Sequence, residues 1–349
     1  MVAVSRLRPW LGVVFRELPR YTLALSGKDD RYLALCNRGE RLQPAPSGPG
    51  FRCDWQWTSD LHAPKQIPSL GRRLMARALA DHPIRCEAAP LSASEQPTVS
   101  FVIGHRGESR LSHLLATLGS IAGQQQAAIE CVVVEQDVEP RVASRLPAWV
   151  RHIHLPPPTA EMPYCRSWAF NVGVRQARGD VLILHDNDML IPIDYAATIL
   201  EKISHGYEVV NPKRFIFYLN GRHTERMFTG QLDMYSHPPE TIVQNLEGGG
   251  SVAITRKCFD RIGGMDESFV GWGGEDNEFW DRAKTQKCWP FGYLALVHLW
   301  HAAQPGKHQT SNTTIMHYQA LSAIPALARI ARLRSLVAGQ LSGPVGWRS

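Results

Sequence analysis

Three stretches of this chain gather side chains able to do chemistry. The first is His185-Asp186-Asn187-Asp188-Met189, which follows the apolar run 181–184. Asp186 and Asp188 are two positions apart, so a continuing extended backbone would set both carboxylates on one side. Carboxylates at close quarters repel unless a proton or a cation lies between them, and oxygen ligands suit Mg²⁺ or Mn²⁺. Asp and Asn are also common turn formers, so this stretch alone leaves a polar turn open as well. The second is Gly271-Trp272-Gly273-Gly274-Glu275-Asp276. Glycines around a tryptophan make a mobile or tightly turned loop with one large flat surface. Two adjacent carboxylates follow at an expected helix start, where the dipole favours negative charge. The plainer alternative is an ordinary acidic helix start beside a buried tryptophan. The third is His298-Leu299-Trp300-His301, two imidazoles three positions apart after a strand, which is a fair pattern for metal ligands.

These residues need a scaffold, and the chain's periodicity describes one. A short apolar run without polar alternation suits a strand buried on both faces of a largely parallel sheet. Such strands deliver their chemistry at the carboxyl end. Residues 98–103 read as a first strand ending in Gly104-His105-Arg106-Gly107-Glu108. A helix follows, with Ser109 as N-cap and Leu111, Leu114, Leu115, Leu118 and Ile121 at helical spacing. Residues 129–134 form a second strand, closed by Glu135-Gln136-Asp137, and 150–155 a third, before the triple proline 156–158. A helix over 166–178, stopped by Gly179, feeds the strand that ends at Asp186. This alternation predicts βαβ units and an α/β fold with an open, mostly parallel sheet. The crossover rule puts Arg106, Asp137, Asp186 and Asp188 on one rim, where a nucleotide would sit. Further on, Gly248-Gly249-Gly250-Ser251 precedes a strand over 252–254 and lets a ligand approach the backbone closely. Residues 255–259 open a helix that ends at Gly263-Gly264. Neither G-x-G-x-x-G nor a P-loop occurs, so a dinucleotide site and a P-loop are both unsupported.

Composition narrows the class. A chain of 349 residues, 44% hydrophobic and 20% charged, is that of a globular protein with room for two or three domains. No apolar run is long enough for a transmembrane helix, and the start of the chain lacks a clear signal-peptide pattern. Seven scattered cysteines without a C-x-x-C pair fit reduced thiols in a cytoplasmic protein. The formal charge of +6 allows phosphate or anionic-membrane partners without choosing between them. No nucleic-acid module is visible, so no nucleic-acid partner is expected.

The flanks read differently. Residues 31–35 suggest a strand, and 44–50 a loop. Trp55 and Trp57 alternate with polar neighbours as on a half-buried strand, either as core or as a sugar-stacking platform. Residues 70–79 look like a short basic helix, and 90–97 like a linker. At the other end, 320–341 reads as one amphipathic helix carrying Arg329, Arg332 and Arg334. Packing on the catalytic region, a homodimer contact and peripheral binding to the inner face of a membrane are all open to such a helix.

The order of elements, and several segments verbatim, resemble the GT-A glycosyltransferases, particularly the β-1,4-galactosyltransferases with their bacterial chondroitin-polymerase and family 2 relatives. Arg166-x-x-x-x-Asn171-Val172-Gly173 is similar to their R-A-x-x-x-N-V-G helix, and His185-Asp186-Asn187-Asp188-Met189 to their D-x-D segment. Residues 249–276 resemble G-G-x-S through G-W-G-G-E-D, and His301 falls where those enzymes carry a metal-binding histidine. The likeness covers roughly 98–305 and leaves out both ends.

The resemblance implies a GT-A (nucleotide-diphospho-sugar transferase) fold with a mostly parallel central sheet, an N-terminal extension and a C-terminal helical segment. The domains would run 1–96, 97–308 and 309–349. It implies an inverting, metal-dependent transfer from a UDP-sugar donor to a hydroxyl of a glycan or glycoconjugate acceptor, in surface polysaccharide biosynthesis. Asp188 and His301 would bind Mn²⁺ or Mg²⁺, with Asp186 and His298 as further candidate ligands. Arg106, Asp137, Arg166, Asp186, Gly249, Gly250 and Trp272 would hold the donor and its sugars. Glu275 would orient the acceptor, and Asp276 would be the general base. Glu247 and Gly248 stand where the galactosyltransferases place aromatic residues, and His298 where they place a methionine ligand, so donor identity is not inherited. A catalytically silent sugar- or nucleotide-binding protein on this fold, and a nucleotidyltransferase, are the competing readings. The second has no use for the G-W-G-G-E-D loop.

Overall fold

The computed structural model describes residues 10–27, 29–91, 96–229, 234, 236–302, 313–336, 338–340 and 342–344. The chain's start, half of the expected linker, the expected boundary at 308/309 and positions 337 and 341 of the expected 320–341 helix lie outside them.

The main sheet has seven strands, in the spatial order Cys288–Trp289, Val209–Val210, Ser251–Thr255, Val181–His185, Val99–His105, Ile129–Glu135, Val150–His154. The four strands Val181–His185, Val99–His105, Ile129–Glu135 and Val150–His154 run parallel. The strand Val181–His185 is buried along its whole length, as an uninterrupted apolar run requires. The helix Arg166–Gln176 packs on the sheet so closely that a Cβ on Gly173 would collide with Val102 Cγ1. This close approach accounts for the glycine in its N-V-G segment.

Ser251–Thr255 is antiparallel, with Ser251 opposite His185. It therefore starts at the rim where the parallel strands end. The glycine run before it lands on that rim for the same reason.

A second sheet of five strands was not legible in the sequence. Its order is Ser59–Asp60, Thr241–Gln244, Lys213–Tyr218, Leu294–His298, Met189–Leu190. It pairs His298 with Met189, which ties the histidine strand to the turn at Asp188. Its outermost strand comes from the N-terminal region, whose Tyr21, Leu33, Leu70 and Leu74 share one apolar core with Phe101, Ile183, Phe217 and Leu296. Buried Arg214 donates to the carbonyls of Leu33 and Leu35 at 2.8 and 2.6 Å. The described residues among the first 90 are thus packed into the same body as the main sheet.

Several local expectations change. Residues 31–35 are not a strand; Asp30–Ala34 is a 3₁₀ turn opened by Asp29, whose carboxylate accepts from Arg31 N. Ser109 lies inside the 3₁₀ turn Glu108–Arg110 and caps nothing by its side chain; the helix runs Leu111–Ala122. Trp55 and Trp57 lie in a loop, the first buried and the second 62% exposed, so they form no shared platform. The C-terminal segment is two helices, Thr313–Ser322 and Ala326–Arg334, divided at Pro325. Proline cannot donate to a continuing helix, so a single rod is broken there. Arg329 is buried against Glu278 and Asp281, and Arg332 pairs with Asp266. Two of the three arginines, Arg329 and Arg332, are therefore spent holding this segment on the main body, the packing that the sequence had left open.

Candidate active site

The rim at the carboxyl ends of the parallel strands carries two groups of side chains joined by one turn. That turn is His185 to Met189. The strand stops at His185, and residues 187–188 turn before Met189 re-enters the second sheet. His185 is fully buried, with its ring nitrogens on Ser251 Oγ and Met189 O at 2.8 and 3.0 Å. Burial lowers its pKa to about 4, so it is a neutral brace. Asn187 Nδ2 meets His105 Nδ1 at 2.9 Å, and Asp186 N donates to Gly250 O at 2.9 Å. The backbone turn consequently parts the two carboxylates that extended geometry would have kept on one side.

Asp188 faces the histidines. Its Oδ2 lies 3.2 Å from His301 Nε2, and its Oδ1 lies 3.7 Å from His298 Nε2. One donor atom from each of the three lies within 4.8 Å of the others. The His298 ring stacks on Tyr218, with centroids 4.2 Å apart. Burial alone would raise the Asp188 pKa, but His298, His301 and Arg110 outweigh it and hold the carboxyl well below its usual range. A buried anion beside two imidazoles is a donor set that fits a divalent cation taking nitrogen and oxygen, Mn²⁺ included. Arg110, which the sequence did not single out, also reaches this group: its Nη1 is 3.2 Å from Asp188 Oδ2.

Asp186 faces the other way and is not one of that trio. Arg166, the first residue of its helix, donates to Asp186 Oδ1 through Nε and Nη2 at 2.9 and 2.6 Å. Its Nη1 donates to Asp276 Oδ1 and lies 3.5 Å from Glu275 Oε1. The guanidinium expected on the nucleotide's diphosphate is here committed to three carboxylates. Farther along the same helix, Asn171 holds the loop after Gly264, donating to Met265 O and Glu267 Oε1 at 2.9 and 2.8 Å.

Glu275 and Asp276 open the helix Glu275–Ala283, after Gly274 at φ 90°. That left-handed turn is one glycine adopts without strain. A helix N-terminus favours anions, yet burial and the neighbouring acid push Glu275 up to about 7. Asp276 is also raised, by burial first, against the pull of Arg166. Glu275 Oε2 is buried with no hydrogen-bond partner among the described residues. The glycine run supports Asp276 from beneath: a Cβ on Gly248 would lie 2.5 Å from Asp276 O, and one on Gly249 3.3 Å from its Oδ2. Side chains at 248 and 249 would crowd the acid they now leave accessible. Lys213 ties this run down, donating to Ser251 O and, at 3.3 Å, to Glu247 O. Burial lowers its pKa to about 7. Lys213 was not singled out in the sequence, because its strand belongs to the second sheet.

Trp272 is 39% exposed, so it is not the buried core residue of the plainer alternative. Its loop leans on the C-terminal segment: Thr314 Oγ1 donates to Trp272 O, and Gly271 N donates to Tyr164 O at 3.0 Å. Arg106 and Asp137 stand on the same rim but contact neither acidic group. Arg106 Nη1 donates to Met162 O at 2.9 Å, and Asp137 pairs with Arg141 at 3.4 Å.

The known proteins bear on this arrangement. Residues 100–259, just under half of the chain, match the model for glycosyl transferase family 2. Residues 242–295 match the model described as the N-terminal domain of galactosyltransferase. Over these two stretches the chain is similar to glycosyltransferases. Among curated relatives, the chain is 24% identical to chondroitin synthase of Escherichia coli over 177 residues, 41% of the chain and 25% of the relative. It is 30% identical to β-1,4-galactosyltransferase 5 of Danio rerio over 128 residues, 35% of the chain and 27% of the relative. The chain thus spans about a quarter of the length of these two relatives. Solved structures with some likeness include a Drosophila β-1,4-galactosyltransferase 7 mutant with manganese, UDP-Gal and xylobiose, at 18% identity and TM-score 0.34, covering 54% of this chain and 63% of that one. Another is a mannosyltransferase from Pyrobaculum calidifontis with GDP-Man and Mn²⁺, at 16% identity and TM-score 0.41, covering 76% of this chain and 81% of that one.

Proposed function

We propose that this chain is an inverting, metal-dependent glycosyltransferase that moves a sugar from a UDP-sugar to a hydroxyl of a glycan or glycoconjugate. The observation that carries the reading is the placement of two different acidic groups on one rim. Asp188 with His298 and His301 suits a cation, and Asp276 with Glu275 suits an acceptor hydroxyl. The turn at Asp186 to Asp188 joins them.

Asp188, His298 and His301 would hold Mn²⁺ or Mg²⁺, which supplies positive charge to the diphosphate leaving group when bound. Asp276 would take the proton of the acceptor hydroxyl as that oxygen attacks the anomeric carbon. Displacement from the face opposite the leaving group inverts the configuration. Arg166 holds Asp276 and Asp186 in register. Glu275 Oε2, without a partner among the described residues, is placed to meet a second acceptor hydroxyl. Trp272 offers its exposed ring to a sugar. The family 2 match and the chondroitin synthase relative support a role in surface polysaccharide synthesis. The scattered cysteines support a cytoplasmic location.

The deciding experiment incubates the protein with a panel of UDP-sugars and Mn²⁺ and measures release of UDP. Release that needs Mn²⁺ and is lost in Asp188→Ala is the expected result. A protein that binds no member of the panel in the presence of Mn²⁺ is not this enzyme.

A further inference from the structure

Arg110 sits in the candidate metal group as a second cation. Its Nη1 lies 3.2 Å from Asp188 Oδ2, the same oxygen that His301 Nε2 approaches at 3.2 Å. Its Nη2 lies 3.0 Å from His301 Nδ1, and that nitrogen is also 2.8 Å from Ala302 O. The two contacts of Nδ1 exclude each other in a neutral ring. It accepts from Arg110 only without a proton, and donates to Ala302 O only with one. Were Nε2 to hold a metal, the proton would stay on Nδ1, which would donate to Ala302 O and set an N–H against the guanidinium. A metal at Asp188 also places like charge beside Arg110.

We propose that Arg110 is a gating residue: it neutralises Asp188 while the site holds no metal, and it must be displaced when a divalent cation binds. Arg110 stands in the turn Glu108–Arg110 at the end of the first sheet strand, with a side chain 20% exposed on the rim. A displaced guanidinium there meets the diphosphate arriving with the nucleotide, whose oxygens match its fork of donors. Metal and nucleotide then bind cooperatively, because the second compensates the cation that the first releases. By linkage the coupling is reciprocal.

This rests on the metal reading above, and the test separates the two. Mn²⁺ affinity is measured by electron paramagnetic resonance of the free ion, with and without UDP, for the protein, Arg110→Gln, Arg110→Lys and Asp188→Ala. Arg110→Gln should bind Mn²⁺ alone more tightly, on the order of tenfold, because Asp188 loses its competing partner. Its gain in Mn²⁺ affinity from UDP should shrink by a similar factor. Arg110→Lys, which keeps the charge, should stay close to the unaltered protein in its affinity for Mn²⁺ alone. Arg110→Gln that binds Mn²⁺ no more tightly, with undiminished coupling to UDP, overturns the gate while leaving the metal site standing. Mn²⁺ binding undiminished in Asp188→Ala, or absent from every form, overturns the metal reading and the gate with it.

Discussion

Arg166 Nη1 donates to Asp276 Oδ1, joining the starts of two helices across 110 positions of sequence. The same guanidinium holds Asp186, so one cation orders the acids on this side of the rim. Removing it raises the pKa of Asp276, since a nearby positive charge favours the ionised form. Arg166→Met should therefore move the acidic limb of the pH dependence of kcat/KM to higher pH. An unmoved limb would show that Arg166 does not act on the base.

Asp276→Asn keeps the shape of the side chain and removes the proton acceptor. Transfer should slow by a factor on the order of 10² to 10⁴, while UDP-sugar binding persists because the base acts on the acceptor. Single-turnover rates and donor titration together check both halves. Normal turnover in this variant would move the role to Glu275 or elsewhere.

Asp188 is the one carboxylate in the trio with His298 and His301. Asp188→Ala should abolish transfer and weaken UDP-sugar binding, and His301→Ala should raise the Mn²⁺ concentration needed for half-maximal rate. Titrating Mn²⁺ against rate for each variant tests this. Full activity of Asp188→Ala in the presence of a chelator excludes the assignment.

Glu275 gives a stability prediction. Burial and Asp276 raise its pKa from 4.5 to about 7. Between those values the folded state holds a proton that the unfolded chain has released, so stability falls as pH rises and levels off above about 7. Glu275→Gln removes this loss and should melt at a higher temperature than the unaltered protein above that pH. Thermal melts across the window check the sign, and parallel curves for the two proteins would refute it.

The loop at Trp272 combines an exposed ring with glycines at positive φ, Gly271 at 109° and Gly273 at 102°. We expect it to close over bound donor, giving ordered binding with metal and UDP-sugar before acceptor. Hydrogen exchange over residues 268–280 should slow with UDP-sugar plus Mn²⁺ and not with Mn²⁺ alone. Exchange already slow in the free protein and unchanged by ligand would mean a static turn.

Sequence by itself determined the parallel heart of the fold and the elements that carry the acids. Apolar runs such as 181–184, too short for a helix of usual length and bounded by turn residues, suit strands covered on both faces, and the glycines around Trp272 mark a turn through their backbone freedom. Local pattern also placed Glu275 and Asp276 at a helix start. Which side chains meet was a tertiary matter. Asp186 and Asp188 part because the strand ends at His185 and the turn directs one acid to Arg166 and the other to His301. His298 reaches Asp188 because a second sheet pairs it with Met189, far away in the chain. Arg110, Lys213 and Thr314 joined the site only through contacts between distant segments. Side-chain periodicity carries the burial of each element, but it holds no information about which rim residue of one element faces that of another.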